Sequence, residues 1–118
     1  FEDSNTVKVV VDPNDNAIYF SREPIPSRRK SATSVPMLKQ ICVIPFRRAY
    51  LLAYNRTPET PLEKIESVDM MRVIESGGSV RMVFTEEVSY GVDTEEDREK
   101  VEKIMATDTL MYQYLKSA

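Results

Sequence analysis

The chain has 118 residues and a net charge of −3, with 16 Lys and Arg against 19 Asp and Glu. This length holds one small domain, and the acidic balance argues against a nucleic-acid-binding protein, which presents a strongly basic face. No apolar run approaches the ~20 residues that cross a bilayer, so membrane insertion is not expected. The sequence contains no histidine, which excludes a Ser-His-Asp triad, a Cys-His dyad and a His-based zinc site.

Cysteine usage and the first residue add two expectations. Cys42 is the single cysteine, so no intrachain disulfide can form, and a cytoplasmic location is predicted. The sequence begins with Phe1 rather than Met, and a strand-like segment follows within a few residues. We therefore expect this chain to be one piece of a longer protein.

The first predicted element is a β-hairpin. Residues 6–11 are rich in valine, which favours a strand, and residues 17–20 form a second apolar run. Residues 12–16 between them are typical of a hairpin connection. Residues 22–36 then contain three prolines and a run of Arg and Lys, which predicts a mobile basic loop.

The middle of the chain predicts a buried strand and two helices. Residues 40–46 are apolar at nearly every position, as in a strand buried on both faces, with Cys42 as a buried small side chain. A short helix is predicted over residues 47–55, with three buried side chains, Tyr50, Leu51 and Tyr54. A longer helix is predicted from Pro61, capped by Thr60, to Gly77 and Gly78. Its apolar stripe consists of Leu62, Ile65, Val68 and Met71.

The last third of the chain predicts one strand and two helices. Residues 79–84 favour a strand, and Thr94 is placed to cap a helix whose first turn is acidic. The apolar stripe of that helix is Val101, Ile104 and Met105. Asp108 is placed to cap a final helix that runs through Leu115. Because strands and helices alternate along the chain, the predicted fold class is α/β.

Basic residues are concentrated in one segment. Between Arg22 and Arg48 there are seven basic residues and one acidic residue, a local charge of +6, so the rest of the chain carries −9. A basic loop in an acidic protein suggests a small anionic ligand such as a phosphate or a carboxylate. A solvated loop with no ligand is the alternative.

Three clusters could carry chemistry. Arg22 ends the second hairpin strand, where a guanidinium can bind a carboxylate bidentately; the alternative is a surface charge. Glu63 and Glu66 share a helical face near its start and could accept sugar hydroxyls, or they could simply complement the helix dipole. Asp93 lies at a strand-to-helix junction and could supply one oxygen to Mg²⁺, or it could only form a turn.

The order of these clusters resembles the C-terminal half of the 3-deoxy-manno-octulosonate cytidylyltransferase family, also called CMP-KDO synthetases. The resemblance covers most of the chain and rests on landmarks that recur in one order. These are Ala17-Ile18-Tyr19-Phe20-Ser21-Arg22, Pro24-Ile25-Pro26, Phe46-Arg47, Thr60-Pro61-Leu62-Glu63-Lys64-Ile65-Glu66-Ser67, Met71-Arg72-Val73, and Gly91-Val92-Asp93-Thr94 with Asp97.

The resemblance implies a fold and an activity. The fold would be part of an α/β nucleotide-diphospho-sugar-transferase-like three-layer sandwich, with a mixed sheet and an N-terminal β-hairpin. The activity would be Mg²⁺-dependent transfer of a cytidylyl group from CTP to an eight-carbon sugar acid in lipopolysaccharide synthesis, by an enzyme that is usually a homodimer. The expected partners are CTP, the acidic sugar, a second subunit and the N-terminal half of the same enzyme.

The resemblance also implies residue roles. Arg22 would contact the sugar acid, Glu63 and Glu66 would contact its hydroxyls, and Asp93 would be one of two magnesium-binding aspartates. Gln40 occupies a position where the family usually has a sugar-pocket His, so it is a candidate for substrate binding. Cys42 and Ile44 also depart from the family pattern, which suggests an altered sugar acid.

Two other functions fit the same residues. One is an acylneuraminate-type cytidylyltransferase that uses another acidic sugar. The other is a non-catalytic α/β module that retains the hairpin for dimerisation. In either enzymatic interpretation, the isolated 118-residue chain is expected to be inactive.

Overall fold

The computed structural model divides the chain into two compact units, Phe1–Phe84 and Thr85–Ala118. The structure describes residues 2–30, 34–86 and 89–117, with the side chains of 115–117 excepted. Within those ranges, no helix is long and apolar enough to cross a membrane.

A small antiparallel sheet opens the first unit. Its strands lie in the order β2-β1-β3 and are β1 (Lys8–Val11), β2 (Ala17–Ser21) and β3 (Leu38–Lys39). β1 and β2 form the predicted hairpin, in which Val9 lies opposite Phe20. The carboxylate of Asp12 stabilises the connection by accepting the backbone N–H groups of Asn14 at 2.8 Å and Asn16 at 2.9 Å. The N-terminal hairpin is therefore confirmed, and its turn chemistry is local.

The first unit also contains three helices among its described residues: α1 (Arg48–Tyr54), α2 (Pro61–Glu66) and α3 (Met70–Glu75). The prediction of one helix from Pro61 to the glycines is wrong, because Ser67 adopts a left-handed conformation with φ 53° and ψ 49°. The N-cap position of Thr60 is confirmed, and its backbone N–H donates to the carboxylate of Glu63 at 3.1 Å. Because of this break, α2 contacts β2 through Glu66, whereas α3 contacts it through its buried apolar residues.

The core lies between the hairpin and α3. It is formed by Val9, Ala17 and Phe20 from the strands, together with four residues on or beside α3, Val68, Met70, Met71 and Val73. The backbone N–H of Phe20 also donates to the sulfur of Met71 at 3.4 Å. Ile65, predicted to lie on the buried stripe, is 75 % exposed, and the buried residue of α2 is Glu63 instead.

The predicted strand over residues 40–46 is wrong. Pairing with β1 ends where the N–H of Gln40 donates to the carbonyl of Val7 at 2.9 Å, and the residues that follow form no ladder. Cys42 is exposed rather than buried, and Val43 is 80 % exposed. A strand buried on both faces needs paired neighbours and two covering layers, and the described residues supply neither for this segment.

The predicted strand over residues 79–84 is also wrong. It makes a single bridge, between Asn16 and Arg81, to the irregular end of the hairpin. Two backbone hydrogen bonds of 2.8 Å hold it there, from Ala17 N–H to the Val80 carbonyl and from Met82 N–H to the Asp15 carbonyl. Because the contact is limited to the turn, no strand propagates.

The predicted helix α1 is present, but only part of its predicted buried face is buried. Tyr54 packs against the core, whereas Tyr50 and Leu51 are exposed. Phe46 lies beside this helix, with its ring centroid 5.6 Å from that of Tyr54. α1 is therefore attached to the core through its last turn.

The second unit contains α4 (Glu95–Met105) and α5 (Thr109–Ser117). Thr94 caps α4 as predicted, and its hydroxyl accepts the N–H of Asp97 at 3.2 Å. Asp108 accepts the N–H of Leu110 at 2.8 Å, which confirms the predicted start of α5. The predicted stripe of α4 is not buried, since Ile104 and Met105 are exposed.

Candidate functional site

Arg22 follows directly after β2 and is half-buried. Its guanidinium donates to carbonyls from two parts of the chain. Nε donates to Glu66 at 3.1 Å and Nη2 to Ser67 at 3.0 Å, at the end of α2, where a cation is favourable. Nη1 donates to Ser4 at 3.0 Å and to Asn5 at 3.4 Å. Arg22 therefore joins the N-terminal segment to the end of α2.

Glu66 is the last residue of α2 and faces the end of β2. One carboxylate oxygen accepts the hydroxyl of Tyr19 at 2.9 Å. The other accepts the hydroxyl of Ser21 at 2.8 Å and the backbone N–H of Arg22 at 3.1 Å. The hydrogen bond to this carboxylate raises the pKa of Tyr19. The structure thus brings together Arg22 and Glu66, two of the residues selected from the sequence.

Glu63 points to α3 rather than to the sheet. It is only 6 % exposed, and its carboxylate accepts Nε of Arg72 at 2.7 Å, a second guanidinium hydrogen bond, and the N–H of Thr60 at 3.1 Å. The hydrogen bonds from Arg72 hold the pKa of Glu63 below its ordinary value. The alternative that both glutamates simply complement the helix dipole is therefore wrong for Glu63, which lies in a buried ion pair.

Arg72 is fixed on two further sides. Its Nη1 donates to the carbonyl of Thr57 at 3.1 Å, and its guanidinium carbon lies 4.5 Å from the ring centre of Tyr54, a cation–π contact. Arg72 therefore connects α1, the segment before α2, and α3. It fixes the orientation of Glu63 away from Glu66.

Gln40 lies at the edge of the small sheet. Its backbone extends the pairing to Val7, and the residue is half-buried. Cys42, two residues further on, is exposed. Gln40 is therefore part of the first unit, like Arg22, but it lies beyond β3 and not beside α2.

Asp93 lies in the second unit, exposed and directly before the Thr94 cap. A Cβ atom on Gly91 would lie 3.3 Å from the Asp93 carboxylate, so glycine leaves room for this side chain to approach the backbone. Asp97 is already engaged, because its carboxylate accepts the Thr94 hydroxyl at 2.7 Å. That hydrogen bond lowers the pKa of Asp97. Asp93 is thus the better placed of the two for a ligand.

The donor chemistry of Asp93 fits Mg²⁺ only as one ligand among several. Mg²⁺ usually takes one or two carboxylates and completes its shell with substrate phosphates and water. The described residues contain no group of three or more side chains that could hold a metal ion. Asp93 can therefore supply one hard oxygen, and the remaining ligands would have to come from elsewhere.

The sequence analysis assigned no role to two residues that support this site, although it quoted one of them, Arg72, within the Met71-Arg72-Val73 landmark. Lys8 is fully buried in β1, and the only signal was a charged residue inside a valine-rich strand. Arg72 pairs with Glu63 nine positions earlier, a spacing that no helical rule selects. The break at Ser67 separates α2 from α3, so this ion pair joins two different helices.

The comparisons with known proteins define the class. Residues 1–109 match the family model described as Cytidylyltransferase. The chain therefore belongs to the cytidylyltransferase family.

More specific relatives are 3-deoxy-manno-octulosonate cytidylyltransferases. The protein of this name from Solibacter usitatus is 42 % identical over 108 residues, covering 92 % of this chain and 43 % of that relative. The one from Syntrophotalea carbinolica is 40 % identical over 110 residues, covering 86 % of this chain and 44 % of that relative. The resemblance to CMP-KDO synthetases is thus confirmed, and the chain spans less than half the length of these relatives.

A solved structure gives the same result for the fold. The structure of CMP:2-keto-3-deoxy-manno-octonic acid synthetase complexed with CTP is 38 % identical to this chain and has a TM-score of 0.81. The match covers 88 % of this chain and 43 % of that chain. The predicted α/β class and nucleotidyltransferase-like fold are confirmed.

Proposed function

We propose that this chain is the sugar-acid-binding part of a CMP-KDO synthetase. That enzyme transfers the cytidylyl group of CTP to the anomeric hydroxyl of 3-deoxy-manno-octulosonate and releases pyrophosphate. The observation that carries the proposal is the structural match, with a TM-score of 0.81 over 88 % of the chain, to a synthetase solved with CTP. The relatives from Solibacter usitatus and Syntrophotalea carbinolica carry the same enzyme name.

Arg22 is the proposed carboxylate contact of the sugar acid. Its Nη1 bonds to the carbonyls of Ser4 and Asn5 are solvent-exposed, so an incoming carboxylate can compete for these hydrogens. A charged acceptor forms a stronger hydrogen bond with a guanidinium than a neutral carbonyl does. The contacts from Nε and Nη2 to the end of α2 would meanwhile keep the guanidinium plane in place.

Glu66 is the better placed of the two glutamates to accept a sugar hydroxyl. It is half-buried, and a carboxylate offers about four lone-pair sites, more than the three hydrogen bonds it accepts from the end of β2. Glu63 is almost fully buried and would reach a sugar only after a rearrangement of the Arg72 pair. Gln40 would contribute an amide at the edge of the same unit.

We further propose that the reaction depends on Mg²⁺, with Asp93 as one of its ligands. When bound, the ion neutralises the charge of the triphosphate and stabilises the developing negative charge. Phosphoryl-type transfer requires positioning and charge neutralisation rather than a nucleophilic side chain. A chain without histidine is therefore compatible with this chemistry.

The proposed partners follow from the same relationship. The remaining part of a full-length cytidylyltransferase would supply the CTP loop and the second metal ligand, and would cover the exposed apolar side chains Val43, Val83 and Phe84. A homodimer, a cytoplasmic location and a role in lipopolysaccharide synthesis complete the proposal.

A pyrophosphate-release assay on the intact protein tests this function. CTP and Mg²⁺ are supplied with 3-deoxy-manno-octulosonate, with N-acetylneuraminate, or with a neutral sugar. We expect release only with 3-deoxy-manno-octulosonate. Release with N-acetylneuraminate instead would establish the acylneuraminate-type activity, and release with none of them would contradict the proposal.

A further inference from the structure

Lys8 is a buried cation at the start of the central strand. Its relative exposure is 0 %, although its neighbours in β1 are all valines. Its ammonium donates to the carbonyl of Asp3 at 2.6 Å and to the carbonyl of Arg22 at 2.5 Å. Burying an ammonium is costly unless its hydrogens are used, so these contacts indicate a specific role.

Lys8 and Glu66 together hold the two backbone polar groups of Arg22, on either side of its Cα. Glu66 accepts the N–H of Arg22 at 3.1 Å, while Lys8 donates to its carbonyl. The backbone on which this guanidinium is mounted is therefore held by a buried cation and a half-buried anion. Such supporting contacts keep a binding group within the few tenths of an ångström that recognition requires.

The same ammonium also fixes the segment that faces the Arg22 side chain. Three successive carbonyls accept hydrogen bonds from two cations: Lys8 binds that of Asp3, and Arg22 binds those of Ser4 and Asn5. The side chain of Asp3 closes the turn by accepting the N–H of Asn5 at 2.9 Å. Lys8 therefore helps to hold the turn against which the exposed Nη1 edge of Arg22 lies.

We propose that Lys8 is a positioning residue for the acidic sugar substrate, acting through the backbone of Arg22 and the turn of residues 3–5. This inference rests on the proposed function, in which Arg22 binds the sugar carboxylate. Lys8 does not touch the substrate, because it is fully buried. Its loss should therefore weaken sugar-acid binding and leave CTP binding unchanged.

The test compares Lys8→Met, Lys8→Arg and Lys39→Met in the intact protein. Lys39 is the matched control, since it lies opposite Lys8 on β3 but is exposed. We expect Lys8→Met to raise KM for the sugar acid about tenfold or more while KM for CTP stays within about twofold. Lys8→Arg, which keeps a donating cation, should recover part of the loss, and Lys39→Met should have no effect.

Two kinetic results would overturn the proposal. One is an unchanged KM for the sugar acid in Lys8→Met. The other is an equal rise of both KM values with a lower melting temperature and no recovery in Lys8→Arg, which would mean a purely structural role.

A wild-type protein without transferase activity would refute the proposed function, and amide hydrogen exchange of the 118-residue chain would then decide the role of Lys8. Exchange at the Arg22 amide that rises about tenfold in Lys8→Met, with Phe20 unchanged, would support local positioning. Unchanged exchange at Arg22, or a uniform rise across the unit, would overturn it.

Discussion

At the scale of single residues, Glu63 and Arg72 form the most buried of the described ion pairs, with side-chain exposures of 7 % and 14 %. Glu63 accepts the N–H of Thr60, and Arg72 donates to the carbonyl of Thr57. The pair therefore joins the segment before α2 to α2 and α3. Desolvation offsets much of the attraction in such a pair, but removing one partner leaves the other charge buried and unpaired. The ion pair is therefore costly to break.

Arg72→Met should destabilise the chain clearly, because it leaves the Glu63 carboxylate without its guanidinium partner. Lys64→Met is the control, because Lys64 pairs with Glu59 at 3.5 Å where both side chains are 62 % exposed, and such pairs contribute at most about 1 kcal/mol. Urea denaturation at neutral pH measures both variants. Equal losses would contradict a special role for the buried pair.

The cost of Arg72→Met should also depend on pH. Arg72 lowers the pKa of Glu63 from its ordinary value of 4.5, so the stabilisation is fully present above that pH. It is lost as the pH falls through the lower pKa of the folded state. The difference between wild type and variant should therefore shrink on acidification below pH 4.5, and a constant difference would count against this assignment.

Asp93→Asn in the intact protein should lower turnover by about a hundredfold or more, because metal stabilisation of developing charge is worth several kcal/mol. High Mg²⁺ should recover part of the loss, and the melting temperature should hardly change, since Asp93 is exposed. Asp97→Asn is the control: it alters the capping box, so it should lower stability only slightly and leave turnover close to that of the wild type. If both variants turn over as fast as the wild type, Asp93 is not a metal ligand.

At the scale of elements, the break between α2 and α3 determines which side chains face the candidate site. Ser67 has a left-handed backbone, and its carbonyl accepts Nη2 of Arg22 at 3.0 Å. The break lets α2 end at Glu66, which faces β2, and lets α3 start again with buried methionines. An uninterrupted helix would rotate one of these faces away.

Ser67→Gly should therefore raise stability by up to about 1 kcal/mol. A left-handed conformation costs a side-chain-bearing residue roughly 1–2 kcal/mol, which exceeds the entropic cost of glycine of about 0.5–1 kcal/mol. Ser76→Gly, where φ is −83°, should instead lose stability. Thermal unfolding of both variants measures the difference, and a loss in Ser67→Gly would contradict the argument.

Elements with local signals could be predicted from the sequence. The hairpin turn depends on Asp12 and Asn16, and the starts of α2 and α4 depend on capping residues within one turn. Residues 40–46 and 79–84 have strand-like composition, but a strand also needs a partner that composition does not specify. The left-handed Ser67 carries no glycine signal, so the break in the helix was not predictable.

The candidate site divides in the same way. Arg22 could be selected because it ends a predicted strand, and Glu66 because it lies near the start of a predicted helix. The structure joins them directly. The contact from Lys8 to Arg22 and the pair of Glu63 with Arg72 connect residues 14 and 9 positions apart. Both contacts depend on packing between elements, which local patterns do not encode.

At the scale of the whole molecule, apolar side chains are exposed at the edges of the described sheet, as at a protein–protein interface. Ile18 on β2 is 53 % exposed and Val43 beyond β3 is 80 % exposed, and both strands are edges of the described sheet. Edge strands with apolar side chains favour pairing with another chain. The relatives are more than twice as long as this chain, which is consistent with further protein covering these surfaces.

The 118-residue chain should therefore self-associate, with the hairpin at the contact. Light scattering should show a dimer or larger species, and Ile18→Lys, which places a charge on the exposed face of β2, should shift it toward the monomer. The matched control is Val101→Lys on α4, in the other unit. A monodisperse monomer with a fully solvated hairpin would contradict this expectation.

The central claim is that this chain supplies the sugar-acid site of a cytidylyltransferase. The most direct measurement joins the N-terminal part of the Solibacter usitatus relative to this chain and follows pyrophosphate release with CTP, Mg²⁺ and 3-deoxy-manno-octulosonate. We expect release from the chimera, none from the 118-residue chain, and a rise of about tenfold or more in KM for the sugar acid in chimeric Arg22→Gln. A folded, CTP-binding chimera without sugar-dependent release, or turnover by the 118-residue chain alone, would contradict the claim.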